Sequence, residues 1–333
     1  MKQHNVKSDK NISIVIPTYN EETNIEKLHK EVCKQMDATE YGYEFIFVDD
    51  GSQDASLDIL KRLANLHENC YYIELSKNFG HQHALKCGMD TAEGDCIITM
   101  DCDLQHPPEV ISQLLEKWEQ GFDIVYTCRE ESHDLSFFKR KSSSLFYSLM
   151  NRLSDIDLEN GAADFRLMNR KAADAFIKFE ENELFIRGLV KWMGFRQASI
   201  RYVPNNRFSG ESKYSVMKMI SFAIKGITSF STKPLKIAAT LGLFFFFMSL
   251  TYIPYVIISY FNGHAVSGWT SLIVTVIFFG GLQLLMVGII GLYLGKLVIQ
   301  AKYRPLYFIK DTNYRVTKHK KQNTASEKSF LNV

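Results

Sequence analysis

The 333-residue sequence has six cysteines but no Cys-x-x-Cys pair. The cysteines lie in apolar or strand-like contexts, which is typical of reduced cytosolic thiols and not of a disulfide framework or a zinc site. A net charge of +2 leaves no basic footprint for nucleic acid. The first ten residues are polar and lack the apolar core of a signal peptide. The composition thus argues against a disulfide scaffold, a zinc module and a nucleic-acid-binding protein.

Two common phosphate-binding motifs are also missing. No Gly-x-Gly-x-x-Gly follows the first predicted strand, which disfavours a dinucleotide-binding fold. No Walker-type loop ending in Gly-Lys-Ser or Gly-Lys-Thr occurs, which disfavours a phosphate-loop ATPase. A nucleotide, if one binds, must therefore be held by other means.

Strands and helices alternate over the first 130 residues. Apolar, often β-branched runs predict the strands, and apolar residues at helical spacing predict the helices between them. The predicted strands are Ile12–Ile16, Tyr43–Val48, Cys70–Leu75, Asp95–Met100 and Ile124–Thr127. This pattern predicts an α/β fold with a Rossmann-like, mostly parallel sheet, in which ligands bind beyond the carboxyl ends of the strands.

The segment after the fourth predicted strand is Asp101-Cys102-Asp103-Leu104-Gln105. Two carboxylates so close together repel each other unless a cation lies between them. A divalent cation with oxygen ligands meets that need, and Gln105 could add a third oxygen. The pair therefore indicates a metal site, although Asp-x-Asp also occurs by chance in solvated loops.

Polar segments follow the first three predicted strands as well. Solvated turns would explain any one of them, but four such segments at one sheet edge favour a nucleotide site. The three segments are Pro17-Thr18-Tyr19-Asn20-Glu21, Asp49-Asp50-Gly51-Ser52 and Lys77-Asn78-Phe79-Gly80.

Taken in order, these motifs resemble glycosyltransferase family 2 with its GT-A fold. The resemblance is specifically to polyprenyl-phosphate glycosyltransferases of the bactoprenol glucosyltransferase and dolichol-phosphate mannose synthase type, and it runs from about Asn11 to Lys310. Two later motifs strengthen it, Ala163-Asp164-Phe165-Arg166-Leu167-Met168 and Arg207-Phe208-Ser209-Gly210-Glu211-Ser212-Lys213-Tyr214.

The resemblance implies the donor site. Asp101, Asp103 and Gln105 would hold Mg²⁺ or Mn²⁺ and the diphosphate, and Asp50 would accept hydrogen bonds from the edge of the base. The implied nucleotide-sugar contacts are Pro17, Tyr19, Glu21, Val48, Asp50, Met100, Asp101, Cys102, Asp103 and Gln105. Cys102 replaces the usual alanine, and we expect its side chain to point away from the metal. His81 stands where the family commonly has lysine or arginine.

The resemblance also implies catalytic and acceptor residues. Asp103, Asp164 and Arg129 would be catalytic, with Asp164 near the acceptor as base or orienter. Guanidinium groups suit phosphate oxygens, although surface ion pairs would also explain such cations. The predicted phosphate and acceptor contacts are Arg129, Arg140, Ser144, Arg207 and Lys213.

Strongly apolar sequence follows residue 234. Leu235–Tyr260 and Trp269–Leu294 are each long enough to span a bilayer, although buried core helices could be as apolar. Lysine and arginine flank the outer ends of the two runs and are missing from the linker, which predicts cytoplasmic termini in a multi-pass plasma-membrane protein. The predicted parts are a catalytic domain (1–212), amphipathic juxtamembrane helices (213–234), a two-helix anchor (235–298) and a cytoplasmic tail (299–333).

Small residues line one face of the second apolar run. Gly288, Gly291 and Gly295 would allow close helix contact, either between the two spans of one chain or between protomers of a homo-oligomer. The sequence leaves both arrangements open.

The expected activity is an inverting, metal-dependent hexose transfer from a nucleotide sugar to undecaprenyl or another polyprenyl phosphate at the cytoplasmic membrane face. Its product would be a lipid-linked sugar donor for cell-envelope glycan modification, with UDP-glucose as the expected donor and GDP-mannose or another UDP-sugar as alternatives. A processive polysaccharide synthase is disfavoured because Gln-x-x-Arg-Trp is missing. A non-catalytic nucleotide-binding protein is disfavoured by the intact acidic pair.

Overall fold

The described part of the protein, in a computed structural model, comprises residues 8–130, 159, 161–205, 226–262 and 268–314. These residues belong to two compact units. The sheet unit contains residues 8–130, 159, 161–205 and 305–314, and the helical unit contains residues 226–262 and 268–304. The sheet unit is thus formed by residues that precede the helical unit in the sequence and by residues that follow it.

The sheet unit is built on one eight-stranded sheet with the order β7-β5-β6-β4-β1-β2-β3-β8. The strands are β1 (Asn11–Thr18), β2 (Gly42–Asp49), β3 (Cys70–Leu75), β4 (Cys96–Thr99), β5 (Ile124–Arg129), β6 (Ala162–Asn169), β7 (Gln197–Tyr202) and β8 (Ile309–Thr312). The first five lie where the sequence predicts strands, so the α/β prediction is confirmed.

The central strands are apolar on both faces because helices cover both. Successive residues point to opposite faces, and Ile14 and Val15 on β1 and Phe47 and Val48 on β2 are all fully buried. The helices of this unit are α1 (Ile25–Met36), α2 (Ser56–Leu66), α3 (His81–Thr91), α4 (Val110–Glu119), α5 (Arg170–Ile177) and α6 (Ile186–Trp192).

The sheet is mixed, but six of its eight strands run in the same direction, which agrees with the prediction of a mostly parallel sheet. Strands β1 to β4 run parallel, but β6 lies antiparallel between β4 and β5, and β8 is antiparallel to β3. Because β6 runs the opposite way, its amino-terminal residues lie beside the carboxyl end of β4, where Thr99 faces Arg166. This reversal brings Asp164 to the edge of the sheet that carries Asp101.

Strand β8 returns to the sheet after the helical unit. Ile309–Thr312 pairs with β3, and the Asp311 carboxylate accepts a hydrogen bond from the Tyr72 hydroxyl at 2.9 Å. The Ser76 N–H donates to the Phe308 carbonyl at 2.9 Å. Residues 305–314, which the sequence predicts to be part of the C-terminal tail (299–333), thus belong to the sheet unit. A polar four-residue edge strand has no apolar run by which the sequence could reveal it.

The helical unit is a hairpin of α7 (Lys233–Phe261) and α8 (Trp269–Gln300). The start of α7 lies beside the end of α8, because the Tyr293 hydroxyl donates to the Ser231 carbonyl at 2.7 Å and the Lys296 ammonium donates to the Ser229 hydroxyl at 3.0 Å. Within the described residues, one helix segment, Thr275–Gln300, is long and apolar enough to cross a membrane. A second span remains a prediction.

The glycine face of α8 is open in the part of the chain that the structure describes. A Cβ added at Gly288, Gly291 or Gly295 would meet no atom of the described residues within 4 Å. The described contacts between the two helices include aromatic rings instead, with the centroids of Phe245 and Phe279 5.3 Å apart. Of the two arrangements that the sequence left open, close pairing of the spans through these glycines is therefore not seen among the described residues, and a homo-oligomer remains a prediction.

Candidate active site

The loops after β1 and β2 are joined by hydrogen bonds. The Ser52 hydroxyl accepts the N–H of Asn20 at 3.0 Å, and the Asn20 side-chain oxygen accepts the N–H of Gln53 at 2.8 Å. The Glu21 N–H donates to the Ser56 hydroxyl at 2.8 Å. These bonds fix the segment that contains Tyr19, whose side chain is exposed at the edge of the sheet.

Asp50 connects the end of β2 to the loop after β3. Its carboxylate accepts the N–H groups of Phe79 at 2.7 Å and Gly80 at 2.9 Å. Burial raises the pKa of Asp50, and these backbone hydrogen bonds oppose the rise. Each carboxylate oxygen has a second lone pair, so the predicted contact with a base edge is chemically compatible and stays a prediction.

Gly51 permits this connection. Its φ is +73°, a left-handed conformation that favours glycine, and a Cβ there would lie 2.8 Å from the Asn78 nitrogen. The loop after β3 therefore passes directly over Gly51, which explains why a glycine follows the paired aspartates.

Five of the predicted nucleotide contacts are buried. One is the carboxylate Asp50, and the other four have no charged side chain. Pro17, Val48, Met100 and Cys102 lie in the interior of the sheet unit. They can therefore meet a nucleotide only through their main chain. Tyr19 and Glu21, by contrast, are at least partly exposed.

The segment after β4 alternates between open and buried side chains. Asp101, Asp103 and Gln105 are partly exposed, while the intervening residues and His106 are buried. Cys102 is thus directed into the core, as expected, and burial raises the pKa of its thiol. The Asp103 carboxylate accepts the Gln105 N–H at 3.1 Å. The three predicted metal ligands are therefore the partly exposed residues of a turn that follows β4, in which Leu104 has a left-handed φ of +59°.

Two histidines flank Asp101. His106 is buried and stacks on Phe165 with ring centroids 5.1 Å apart. Its Nδ1 accepts the Asp101 N–H at 3.1 Å, which leaves the proton on Nε2, 3.5 Å from Asp101 Oδ2. Burial lowers the pKa of His106, in keeping with a neutral ring. His81 approaches the other oxygen, with its Nε2 3.4 Å from Asp101 Oδ1.

Sequence reasoning assigned neither histidine a role. His106 belongs to the acidic motif, and its position shortly before a helix gave no sign of a buried ring. In the sequence, His81 stands out only as a departure from the family's usual lysine or arginine. One sequence signal exists for each histidine. His106 directly follows the Asp-x-Asp segment, and His81 directly follows Asn78-Phe79-Gly80.

Asp164 lies at the centre of a buried ion cluster. Arg166 Nη2 donates to Asp164 Oδ1 at 2.7 Å, and Arg187 donates from Nε at 3.2 Å and from Nη2 at 3.0 Å. Burial alone would raise the pKa of Asp164, but the guanidinium groups of Arg187 and Arg166 hold it far below its ordinary value. A carboxylate this acidic is a weak proton acceptor, so its chemistry suits orientation better than general base catalysis.

Arg187 was not predicted from the sequence. It follows Ile186 at the start of α6, a short apolar helix with no recognisable motif. Arg187 contacts Asp164, which lies 23 residues earlier in the chain, and this contact is visible only in the folded structure.

The remaining predicted cations are less fully described. Arg129 ends β5, is exposed, and donates from Nε to the Tyr202 hydroxyl at 3.4 Å. The other four predicted acceptor contacts, Arg140, Ser144, Arg207 and Lys213, lie outside the described residues. Most of the predicted amphipathic helix lies outside them too, although residues 226–230 are helical.

No group of three or more histidine, cysteine, aspartate or glutamate side chains suited to a metal forms among the described residues. Asp101 and Asp103 nevertheless offer hard carboxylate oxygens on partly exposed side chains. Such a pair holds Mg²⁺ or Mn²⁺ when the substrate's phosphates supply further oxygens. The donor set therefore fits a divalent cation shared with a diphosphate.

A mixed α/β sheet of GT-A type, with an open Asp-x-Asp segment beyond its fourth strand, defines the class as a glycosyltransferase. The family model described as Glycosyl transferase family 2 matches residues 13–176. A bactoprenol glucosyl transferase of Shigella phage SfV is 38% identical over 301 residues, which cover 90% of this chain and 98% of that relative. The chain therefore belongs to glycosyltransferase family 2.

Other relatives and solved structures are similar as well. The uncharacterized glycosyltransferase YkcC of Bacillus subtilis is 41% identical over 298 residues, which cover 89% of this chain and 92% of the relative. A solved mannosyltransferase from Pyrobaculum calidifontis, in complex with GDP-Man and Mn2+, is 16% identical with a TM-score of 0.48, and the match covers 67% of this chain and 64% of that one.

Proposed function

We propose that this enzyme transfers glucose from UDP-glucose to a polyprenyl phosphate such as undecaprenyl phosphate. The observation that carries the proposal is the extent of the similarity to bactoprenol glucosyl transferases, which covers 90% of this chain and 98% of the phage SfV relative. A match of that extent takes in the apolar helices as well as the sheet unit. The product would serve as a lipid-linked sugar donor for modifying cell-envelope glycans.

The chemistry is a single displacement at the anomeric carbon. An oxygen of the acceptor phosphate forms a bond to that carbon while the bond from the carbon to the donor diphosphate breaks, and a nucleoside diphosphate leaves. The configuration at the anomeric carbon inverts. A phosphate monoester is already anionic near neutral pH, so the step needs no strong base. The low pKa of Asp164 is compatible with this requirement.

Asp101 and Asp103 would hold Mg²⁺ or Mn²⁺, with Gln105 as a further oxygen donor. When bound, the cation supplies positive charge that neutralises the leaving diphosphate. The support is the donor set itself, since these three oxygen-bearing side chains are the partly exposed ones in the turn after β4. Tyr19, Asp50 and the adjacent main chain would hold the nucleoside.

We place the enzyme in the plasma membrane as a two-span hairpin with the sheet unit and both termini in the cytoplasm. Lys233 and Lys236 lie at the start of α7, and Lys302 and Arg304 follow α8. The contact between Lys296 and Ser229 puts these basic residues at one end of the hairpin. That arrangement agrees with the retention of positive charge on the cytoplasmic side.

A donor panel tests the activity. Purified full-length protein in detergent, supplied with Mg²⁺ and undecaprenyl phosphate, should convert UDP-glucose to a labelled lipid at a rate at least about 10-fold above GDP-mannose and other UDP-sugars, since specific polar contacts discriminate donors by that much or more. Thin-layer chromatography of the extracted lipid measures the product. Undecaprenol, which lacks the phosphate, is the matched control and should give none.

Two results of this assay would count against the proposal. A higher rate with GDP-mannose or another UDP-sugar would refute UDP-glucose as the donor and would leave the proposed acceptor unchanged. Binding of UDP-glucose without any transfer would favour a membrane-anchored nucleotide-binding protein.

The hairpin predicts a definite reporter pattern. A reporter fused after Val333 should be cytoplasmic, and one inserted at Gly263 should be external, because the linker lacks lysine and arginine. Paired alkaline phosphatase and fluorescent protein fusions measure the two positions. Finding both reporters on the same side of the membrane would refute the two-span proposal.

A further inference from the structure

The sheet order divides the candidate active site into two halves. The loops that carry Tyr19 and Asp50 follow β1 and β2, on one side of β4, whereas Asp164 on β6 and Arg129 on β5 lie on the other side. Asp101 follows β4 and so lies at the boundary. With the nucleotide in the first half, the second half is the one available to the acceptor.

The ion cluster in the second half has one member that reaches solvent. The side chains of Asp164 and Arg166 are 7% and 2% exposed, and that of Arg187 is 33% exposed. Two guanidinium groups contact one carboxylate in this cluster, and Arg187 is the more exposed of the two. An anion that approaches the cluster from solvent therefore meets Arg187.

Arg187 lies close to the predicted metal ligands. Asp164 Oδ2 is 3.9 Å from His81 Nε2, which in turn is 3.4 Å from Asp101 Oδ1. Arg187 is thus separated from Asp101 by two side chains. A group bound at Arg187 would lie next to the place where the donor diphosphate is expected.

The orientation of Arg187 is set before any substrate binds. Its Nε and Nη2 form a two-point contact with Asp164. Gln82 supports the same arrangement, because it donates to Asp164 Oδ2 at 3.4 Å and accepts the N–H of Ile186 at 3.3 Å. Fixing a binding group in advance reduces the entropy lost when substrate and catalyst are brought together.

We propose that Arg187 binds the phosphate of the lipid acceptor and that Asp164 is a positioning residue that orients this guanidinium. The inference rests on the proposed function for the identity of the acceptor. A planar guanidinium presents paired N–H donors that match phosphate oxygens, which an ammonium does not. Arg187 would hold the attacking oxygen near the anomeric carbon, and Asp164 would take no proton from it.

The test measures acceptor binding and transfer separately in Arg187→Gln and Arg187→Lys. Full-length protein in nonionic detergent is titrated with undecaprenyl phosphate, with undecaprenol as the lipid control, and donor binding is measured by calorimetry with UDP-glucose and Mg²⁺. Arg62→Gln is the matched control, since Arg62 on α2 forms an exposed pair with Glu26 on α1 at 2.5 Å and has no part in the proposed site.

We expect Arg187→Gln to weaken undecaprenyl phosphate binding and to lower kcat/KM for the acceptor by about 10- to 100-fold, the loss of one charge-assisted contact. Arg187→Lys should fall between this variant and the wild type, because it keeps the charge and loses the planar fork. Donor affinity should change by less than about 3-fold in both, and Arg62→Gln should match the wild type.

Two results would overturn the assignment. Unchanged acceptor binding in Arg187→Gln would show that the guanidinium does not meet the phosphate. Equal loss of donor and acceptor binding in a variant with the wild-type melting temperature would show that Arg187 only maintains the site. If Arg187→Gln does not fold, the same comparison is decided by Arg187→Lys.

The binding readout also separates this inference from the proposed function. Wild-type protein that binds undecaprenyl phosphate but transfers no sugar would refute the activity, and the variants would still decide the role of Arg187. Wild-type protein that shows no preference for undecaprenyl phosphate over undecaprenol would refute both.

Discussion

Asp103→Asn should lose at least about 100-fold of the transfer rate, a cost of about 3 kcal/mol in the transition state. The substitution keeps the shape of the side chain and removes one charge from the predicted metal site. Because the main-chain bond from Gln105 uses an oxygen that asparagine retains, the fold of the segment should survive. Initial rates with UDP-glucose and undecaprenyl phosphate, measured across a Mg²⁺ titration, give the effect and any shift in metal dependence.

Chelation tests the metal dependence of the wild-type enzyme directly. Excess EDTA should abolish wild-type transfer, and added Mg²⁺ or Mn²⁺ should restore it. Asp58→Asn is a suitable control, since Asp58 is an exposed aspartate on α2 with no part in the proposed metal site. Full activity of Asp103→Asn in the presence of EDTA would exclude the metal assignment.

Asp164→Asn should destabilise the protein by about 3–5 kcal/mol, because it leaves the buried Arg166 without its counter-charge. For a sheet unit of this size the loss corresponds to a fall of about 10 °C in the melting temperature. Differential scanning fluorimetry in detergent measures it. Asp174→Asn is the matched control, because Asp174 pairs with Arg170 at 2.7 Å on the surface, where its side chain is 61% exposed. A shift equal to that of the control would show that the cluster contributes nothing to stability.

The same carboxylate predicts a direction for pH dependence. The pKa of Asp164 is lower in the folded protein than in the unfolded chain, where it is about 3.9. Its stabilisation is therefore fully present above that value and is lost as the pH falls below it. Melting curves of wild type and Asp164→Asn should converge as the pH falls below about 4, and they should differ by a constant amount at higher pH.

Strands β1 to β4 and the segment after β4 could be predicted because their sequence signals lie within a few residues of one another. Strands β1 to β4 are apolar runs buried on both faces, and each ends in a polar segment at the same edge. Asp101, Asp103 and Gln105 are partly exposed in the turn that directly follows β4. Such features depend on neighbours within a few residues, so one sequence is enough to show them.

The surroundings of Asp164 could not be predicted, because they depend on residues that are far apart in the sequence. Strand β6 contains Asp164 and Arg166 in place of an uninterrupted apolar run, and their burial is tolerable only because Arg187 arrives from α6. Likewise, the loop that passes over Gly51 brings two main-chain donors to Asp50 from 29 and 30 residues further along the chain. Neither contact leaves a periodic signal in the sequence.

Strand β8 has a consequence for the order in which the protein is made. The ribosome releases the chain from the amino terminus, so residues 309–312 emerge only after both helices of the hairpin have been synthesised. Until then the outer edge of β3 has unpaired main-chain groups, which are prone to association with other chains. Pairing with β8 closes that edge last. The catalytic sheet is therefore completed only after the apolar hairpin has been synthesised. A chain that ends before residue 305 would leave the outer edge of β3 unpaired.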